Sequence, residues 1–435
     1  MKLFQPKILT SLKGYTAKNV FSDILAGVIV AIIALPLSLA LAIASGAPPE
    51  TGLYTAIIAG FVIALLGGSK VNISGPTAAF ATIVAGIIAK DGLDGLMLAT
   101  IMAGILLILF GVCRLGSLIK FIPHTITVGF TGGIAVTLVI GQMKDFFGLT
   151  YPEGANAIET MEKLTLFFEN IGTINPWALL VGAVGLSVLI FWPKLSKKIP
   201  GSLIAAVLGA AVVALASMSV NTIGSLYTVT SSLPKFSFPA ISMKKVLSLL
   251  PSAFTIALLA AIESLLSCVV SDGMIEDKHN SNTELIALGA GNMLVGFFGG
   301  IPATGAIART AANVRNGGRS PLSGMTHALV LLLVLIVLMP LASLIPMPII
   351  AAILFIVAYN MSEWRKFVEI CKRKHWQDIL VLVLTFLLTV IFDLVKAIIV
   401  GMAVHYAIVA ITRLAERKKQ KSAPSAEPTQ QNEEK

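Results

Sequence analysis

Two stretches decide the fold: Asn72-Ile73-Ser74-Gly75-Pro76-Thr77-Ala78-Ala79 and Gly299-Gly300-Ile301-Pro302-Ala303-Thr304-Gly305-Ala306. Each interrupts a long apolar region and precedes an apolar segment, 76–89 or 304–314. Both segments are too short to cross ~30 Å of hydrocarbon as helices that rise ~1.5 Å per residue. Because proline and glycine interrupt helices, we expect two half-helices that begin inside an apolar environment.

The composition around these stretches predicts an all-α integral membrane protein. Of the 435 residues, 56% are hydrophobic and 12% are charged, about half the ~25% charged share of a soluble domain. The apolar runs are long and unbroken, whereas transmembrane strands alternate over ~10 residues. The formal charge of +10 is spread over short loops, which disfavours a nucleic-acid-binding face.

Fourteen hydrophobic segments follow one another along the chain. They begin near Asp23, Leu53, Pro76, Asp94, Ile122, Asn175, Gly201, Leu250, Glu284, Thr304, Pro321, Met347, Trp376 and Leu394. The tails and the even-numbered connections hold 24 of the 32 Lys and Arg residues, and the odd-numbered connections hold seven. This bias predicts that both termini are cytoplasmic, in a bacterial-type plasma membrane.

The two halves of the chain repeat each other. Pro123 and Pro346, which open segments five and twelve, are 223 residues apart, and Pro76 and Pro302 are 226 apart. Seven spans per half is an odd number, so the halves must have opposite orientations. We predict a 7+7 inverted repeat, about 21–218 and 246–415, with segments three and ten as half-helices. Residues 1–20 would be a cytoplasmic segment and 416–435 a disordered tail.

The half-helix starts are the strongest candidate binding site. The first amides of a helix have no intrahelical partners, and the peptide dipoles add about half a positive charge there. Small side chains allow an anion to approach these amides. The residues that would form such an anion cradle are Thr77, Ala78, Ala79, Thr304, Gly305 and Ala306. The alternative interpretation is that Pro and Gly only kink two packed helices.

Two charged residues inside predicted spans are the other candidates. Arg309 costs at least ~2.5–3.5 kcal/mol at membrane depth and keeps its proton, so it needs an anionic partner, either a substrate or a carboxylate. Glu263 is the candidate carboxylate and could carry a coupling proton, with Ser264 and Ser267 as nearby hydroxyls. The alternative is a permanent structural pair between Arg309 and Glu263.

Other chemistries find little support in the sequence. The three cysteines, Cys113, Cys268 and Cys371, have no metal-ligand spacing. There is no nucleotide-binding, zinc or nucleophile-elbow motif, so we expect neither a cofactor nor an enzymatic activity.

The chain resembles the SulP family of anion transporters. The similar stretches are Leu35-Pro36-Leu37-Ser38-Leu39-Ala40, Ala47-Pro48-Pro49-Glu50-Thr51-Gly52-Leu53-Tyr54, Asn72-Ile73-Ser74-Gly75-Pro76-Thr77-Ala78, and the Ile301-to-Arg309 stretch. The resemblance implies core and gate domains, an elevator-type movement and a homodimer in the lipid bilayer. It also implies that Leu41 lies beside the substrate. Most members carry a STAS domain after the last span, and we expect none here.

The resemblance implies a small inorganic anion as substrate, with sulfate favoured over bicarbonate. Coupling would be by H+ symport or anion exchange, with coupling to Na+ as the alternative. An anion channel and a nucleobase symporter are the alternatives. The latter would require acidic residues at the tenth half-helix, where this chain has Thr304 and Arg309.

Overall fold

The computed structural model describes residues 4–12, 14–117, 123–152, 155, 157–196, 199–373, 375–392 and 394–422. The helices of the first half are α1 (Ile8–Ser11), α2 (Ala17–Ala44), α3 (Pro49–Leu66), α4 (Ala81–Val112), α5 (His124–Phe147), α6 (Thr160–Glu169), α7 (Pro176–Leu195), α8 (Gly201–Leu215) and α9 (Ile223–Leu226). Those of the second half are α10 (Met243–Ile275), α11 (Ser281–Phe297), α12 (Ile307–Arg315), α13 (Pro321–Ala342), α14 (Met347–Met361), α15 (Trp364–Lys372), α16 (Trp376–Ile391) and α17 (Leu394–Ser422). Strands β1 (Ser74–Gly75) and β2 (Thr304–Gly305) have two residues each.

The fourteen predicted segments are all present as helices. Segments three and four form one element, α4, which breaks at Gly92, where φ is 70°. Only glycine adopts this conformation at little cost. Within the described residues, nine helical stretches are long and apolar enough to cross a membrane. The shorter helices α8, α11, α12 and α16 and the division of α4 account for the remainder.

Helix starts are set by capping side chains and by proline. Ser320 accepts a hydrogen bond from the Leu322 amide and is followed by Pro321. Asn175 caps α7 in the same way and is followed by Pro176. A side-chain acceptor satisfies an orphan amide, and proline at the first helical position has no amide to satisfy. These local signals fix where each span begins.

Long-range hydrogen bonds gather the even-numbered connections at one face, which we call the terminal face. The Lys7 amide donates to the Gly67 carbonyl, and Asp23 accepts from the Arg319 amide at 2.7 Å. At the opposite face, which carries α6 and which we call the α6 face, Asn175 donates to the Ser219 carbonyl at 2.7 Å. The connections therefore alternate between two faces, as an even number of crossings requires.

The packing repeats with the sequence. The contact of α3 in the first half with α13 in the second matches that of α11 in the second half with α4 in the first, and the pair α5–α16 matches α14–α7. The helices form two groups. One comprises α2–α4 and α10–α13, and the other comprises α5, α7, α8, α14, α16 and α17. This is the predicted 7+7 inverted repeat with its core group and gate group.

A buried apolar cluster lies between the two groups. It contains Leu41 and Leu53 of the core group together with Ile349 and Ile350 of the gate group. Apolar contacts are non-directional, so this cluster does not by itself fix one relative position of the two groups.

Two sequence expectations differ from the structure at the ends of segments. The interval 151–170, which lies between segments five and six and has no predicted helix, contains α6, whose start is stabilised by Glu162 accepting from the Ile158 and Glu159 amides. The disordered tail predicted from 416 was wrong over 416–422, because α17 continues to Ser422. The run of Glu, Arg, Lys and Gln there has high helix propensity. The rest of that tail lies outside the described residues.

Candidate functional site

The two half-helices begin side by side because β1 pairs with β2. The pairing is antiparallel, with Ser74 opposite Gly305 and Gly75 opposite Thr304. The Ala306 amide also donates to the Ile73 carbonyl at 2.8 Å. The short ladder satisfies backbone groups that would otherwise be bare at this depth. It also brings together the starts of α4 and α12, as the anion-cradle hypothesis requires.

Glycine is necessary at two ladder positions. A Cβ on Gly75 would lie 2.6 Å from Nη1 of Arg309, and a Cβ on Gly305 would lie 2.6 Å from Nδ2 of Asn72. Both distances are shorter than real Cβ contacts. The glycines therefore allow the backbone to approach Arg309 and Asn72 closely.

The backbone before α12 is held by two side chains of neighbouring spans. The Thr55 hydroxyl accepts from the Ile301 amide at 2.8 Å. Asn292 accepts from the Ala303 amide and donates to the Ala303 carbonyl, both at 2.9 Å. Thr304 donates its hydroxyl proton to the Ala260 carbonyl at 2.8 Å. Thr304 is thus an anchor of the ladder on α10, and its side-chain proton is used there.

Arg309 is buried on the first turns of α12, with 2% of its surface exposed. Its Nη2 donates to the carbonyl of Pro76. Its Nε and Nη1 have no hydrogen-bond partner among the described residues, and no carboxylate of that part of the chain lies within 4.0 Å of it. A buried guanidinium with two uncommitted nitrogens is arranged to receive an anion.

Glu263 lies at the other half-helix. Its carboxylate accepts a hydrogen bond from the Thr77 hydroxyl at 2.9 Å, and Thr77 is the residue from which the first turn, Ala78–Phe80, begins. Ala78 and Ala79 are each 4% exposed. Both small side chains are therefore buried at this helix start. Glu263 and Arg309 face the same ladder without forming a direct ion pair.

Ser264 and Ser267 do not accompany Glu263. Ser264 binds Asn72 and Glu284, at 3.2 and 3.3 Å. Ser267 donates to Oδ1 of Asn72 at 2.7 Å. Glu263 contacts the half-helix start, whereas the two serines bind in a separate buried network.

The centre of that network is Asn72, which the sequence analysis treated only as a helix breaker. It donates to Glu284 at 2.7 Å and accepts from the Thr310 hydroxyl at 3.0 Å. Glu284, 1% exposed, also accepts from the Gly68 and Ser69 amides. The signal that could have found this network is the set of polar residues inside apolar segments. Which of these residues contact one another cannot be read from the sequence, because they lie on distant spans.

The remaining predicted residues surround the cradle without polar side-chain contacts. Leu41 is 1% exposed and belongs to the same apolar cluster as Ala78. Ala306 is the extended residue just before α12, with φ −105° and ψ 107°. His327 is completely buried, and neither ring nitrogen has a partner among the described residues.

The arrangement can bind an anion and can hold a proton close to it. Two half-helix starts and one guanidinium supply positive potential. Among the described residues, no carboxylate lies within 4.0 Å of the guanidinium. The carboxylate beside Thr77 supplies an acceptor that can take up a proton when an anion is bound nearby.

Comparison with known proteins agrees with this geometry. A family model described as "Sulfate permease family" matches residues 20–385. The chain belongs to this family. The resemblance identified from the motifs is therefore confirmed.

Relatives within the sulfate permease family cover most of the chain. "Putative sulfate transporter YvdB" of Bacillus subtilis is 44% identical over 407 residues, which are 93% of this chain and 76% of that protein. "Bicarbonate transporter BicA" of a Picosynechococcus strain is 35% identical over 401 residues, 89% of this chain and 69% of that protein. These relatives are transporters and not enzymes.

Solved structures share the fold. The transmembrane domain of a cyanobacterial bicarbonate transporter, BicA, superposes with a TM-score of 0.79 at 32% identity, covering 88% of this chain and 98% of that one. The murine Solute Carrier 26 family member A9 anion transporter, in its inward-facing state, superposes with a TM-score of 0.85 at 19% identity, covering 94% and 71%. The protein is a multi-pass membrane anion transporter of this family with the 7+7 fold.

Proposed function

We propose that the protein is a secondary active transporter of sulfate, driven by proton symport or by anion exchange. The observation that carries the proposal is buried Arg309, whose Nε and Nη1 are uncommitted at the junction of two half-helix starts. A desolvated cation with free donors is stabilised by a small anion of compact shape. The similarity to YvdB favours sulfate among such anions.

Binding at the ladder supports an elevator-type movement. The core group carries both half-helices, and it meets the gate group through apolar contacts that include Leu41 and Ile350. Such an interface allows the core group to slide with its anion while the gate group stays in place. A homodimer formed through the gate group in the lipid bilayer fits this division of labour.

The same fold supports a topology with both termini in the cytoplasm of a bacterial-type plasma membrane. The terminal face contains Lys7, Lys70, Arg315 and Arg319, which agrees with the excess of basic residues expected on the cytoplasmic side.

Bicarbonate is the second candidate substrate. The observation in its favour is the superposition on the BicA transmembrane domain, of which the chain covers 98%. Backbone amides and a guanidinium can donate hydrogen bonds to a planar or to a tetrahedral oxyanion. Selection between bicarbonate and sulfate therefore depends on the size of the cavity. Sodium coupling belongs to this alternative, and a channel would share the cradle but conduct without saturation.

Uptake of labelled sulfate and bicarbonate into proteoliposomes, with imposed pH and sodium gradients, tests the proposal. We expect saturable sulfate uptake and counterflow in the wild type. Arg309→Gln should reduce uptake by about tenfold or more, since each charge-assisted hydrogen bond contributes ~1.5–3 kcal/mol.

The matched control is Arg315→Gln, because Arg315 is exposed at the end of the same helix. It should transport as the wild type does. Normal affinity and uptake in Arg309→Gln would refute the role of Arg309. Sodium-dependent uptake of bicarbonate, with no uptake of sulfate, would identify bicarbonate as the substrate. Single-channel currents would show that the protein is a channel and not a transporter.

A further inference from the structure

A second polar cleft opens on the α6 face, outside the ladder. It is open to solvent and lies between the end of α2, the start of α4, and α5. Ala78 forms its inner wall, and Thr82 and Thr137 contribute hydroxyls to its sides. Because Ala78 directly follows Thr77, this cleft leads to the half-helix start where Glu263 is bound.

Lys163 of α6 reaches over this cleft and is the one charged side chain in its lining. It is half-buried, and it makes no side-chain hydrogen bond or ion pair with any residue that the structure describes. Burial lowers the pKa of Lys163, and the charge of neighbouring Glu162 opposes this shift. A partly desolvated ammonium group without a counterion is stabilised when an anion comes close.

Gln142 of α5 lies in the same cleft. It is 4% exposed, and its Oε1 has no hydrogen-bond partner in the described part of the chain. A buried amide is normally hydrogen-bonded, and a half-turn of the side chain exchanges its oxygen and nitrogen. The Nε2 group of this cleft-lining residue can donate to an oxyanion.

Lys163 packs over Gly141 of α5. A Cβ at this position would lie 3.9 Å from Nζ of Lys163, so the ammonium group lies directly above the α5 backbone. The charge of α6 is thus held at the mouth of the cleft by the packing of α6 on α5.

We propose that Lys163 and Gln142 form an outer anion subsite, which takes a small inorganic oxyanion on the α6 face before it reaches the cradle. The inference rests on the proposed function, because the ligand of the subsite is the transported anion. The subsite raises the local anion concentration on one side of the membrane and leaves the inner cradle unchanged.

The test compares Lys163→Met, Lys163→Arg and the control Lys235→Met in membrane vesicles of both orientations, with labelled sulfate. Lys235 is an exposed lysine of the same face that does not line the cleft. We expect Lys163→Met to raise KM about three- to tenfold for sulfate supplied on the α6 face, with Vmax unchanged. Lys163→Arg should restore KM, and Lys235→Met should not alter it.

An unchanged KM in Lys163→Met overturns the subsite. So does an equal change of KM on both faces, or a loss of Vmax at constant KM, since either result assigns Lys163 a structural role. Failure of the proposed function is recognised separately, because Arg309→Gln would then transport normally or the wild type would carry no anion in either direction.

Discussion

Glu263 and Arg309 carry opposite charges at the same ladder, yet each has its own contact. Glu263 accepts from Thr77 at 2.9 Å, and Arg309 donates to the Pro76 carbonyl. A direct ion pair would neutralise the guanidinium permanently. With the two groups apart, the positive charge of Arg309 stays available to a substrate, and the carboxylate can respond to its arrival.

Glu263→Gln is expected to separate proton coupling from anion binding. The amide keeps the shape and a hydrogen bond to Thr77, but it has no titratable group. Accumulation of sulfate driven by a pH gradient should fall to the level of exchange, whereas sulfate–sulfate exchange should persist. Both are measured as labelled sulfate uptake in proteoliposomes.

The control for this prediction is Glu276→Gln, an exposed carboxylate at the end of the same helix, α10. It should behave as the wild type. Undiminished proton-driven accumulation in Glu263→Gln would show that another group carries the proton.

At single residues, the sequence predicted charge better than it predicted contacts. Arg309 and Thr77 are at the half-helix starts because their local motifs put them there. Ser264 and Ser267 were grouped with Glu263 by proximity along the chain, but they bind Glu284 and Asn72 instead. Those partners lie almost 200 residues or about 20 residues away along the chain, and neither separation has a local signature.

Among the elements, the half-helices depend on close backbone approach at the ladder. Both strands have only two residues, and each contains a glycine. The space that a Cβ would need is occupied by Arg309 at Gly75 and by Asn72 at Gly305. An added methyl group at either position must displace a buried polar side chain. Overpacking of this kind typically costs ~1–3 kcal/mol.

Gly75→Ala is expected to lower the melting temperature in detergent and to weaken sulfate binding, because the new Cβ displaces Nη1 of Arg309. Gly86→Ala is the matched control, since Gly86 lies in the same half-helix and a Cβ there meets nothing within 4 Å. Alanine is the better helix former, so the control should be neutral or slightly stabilising. Equal melting temperatures and affinities for the two variants would contradict the role of the ladder.

The breaks at Pro76 and Pro302 were predictable because proline and glycine act locally. The ladder between them was not, since a two-residue strand has no period for a sequence pattern to display. Helix α6 was missed although Glu159 and Glu162 have the spacing of a start signal, because its polarity suggested a loop. Helix α6 carries Lys163, the charged residue of the proposed outer subsite.

Over the whole molecule, an N-terminal segment connects the two repeats on the terminal face. Lys7 and Lys70 bind the same oxygen of Asp277, at 3.0 and 3.1 Å. The Gln5 amide donates to Thr283 at 3.1 Å. Residues before the first span are therefore held against connections of both halves.

The attachment should depend on pH through Asp277. Burial acts to raise the pKa of this carboxyl, but hydrogen bonds from the Lys278 backbone, Lys7 and Lys70 lower it overall. A lowered pKa stabilises the attached form above the ordinary value of ~3.9, and this contribution is lost as the pH falls through the lower, folded value. Because the pair is partly exposed, we expect a contribution of at most ~1 kcal/mol.

Hydrogen exchange of amides 5–12 measures this attachment. Protection of these amides should be constant from about pH 7 to pH 4 and should decrease at lower pH. In Asp277→Asn the reduced protection should appear already at neutral pH. Asp378→Asn, on the same face but without an ion pair within the described residues, serves as the control. Protection that is identical in Asp277→Asn and the wild type would exclude this attachment.

At this scale the sequence was most informative. Apolar run length predicted fourteen segments, and the offset between Pro123 and Pro346 predicted the repeat. The grouping of helices into core and gate was available only from the family resemblance, because the apolar faces of α2 and α14 do not indicate which partner they pack against.

The pairing of Ser74–Gly75 with Thr304–Gly305 has a mechanical consequence. Pulling one half-helix away from the other would break amide–carbonyl bonds where hydrocarbon offers no replacement. In the elevator movement that we propose, an ion held between the half-helices would contact both halves of the chain. The two half-helices would then carry it across as one rigid body.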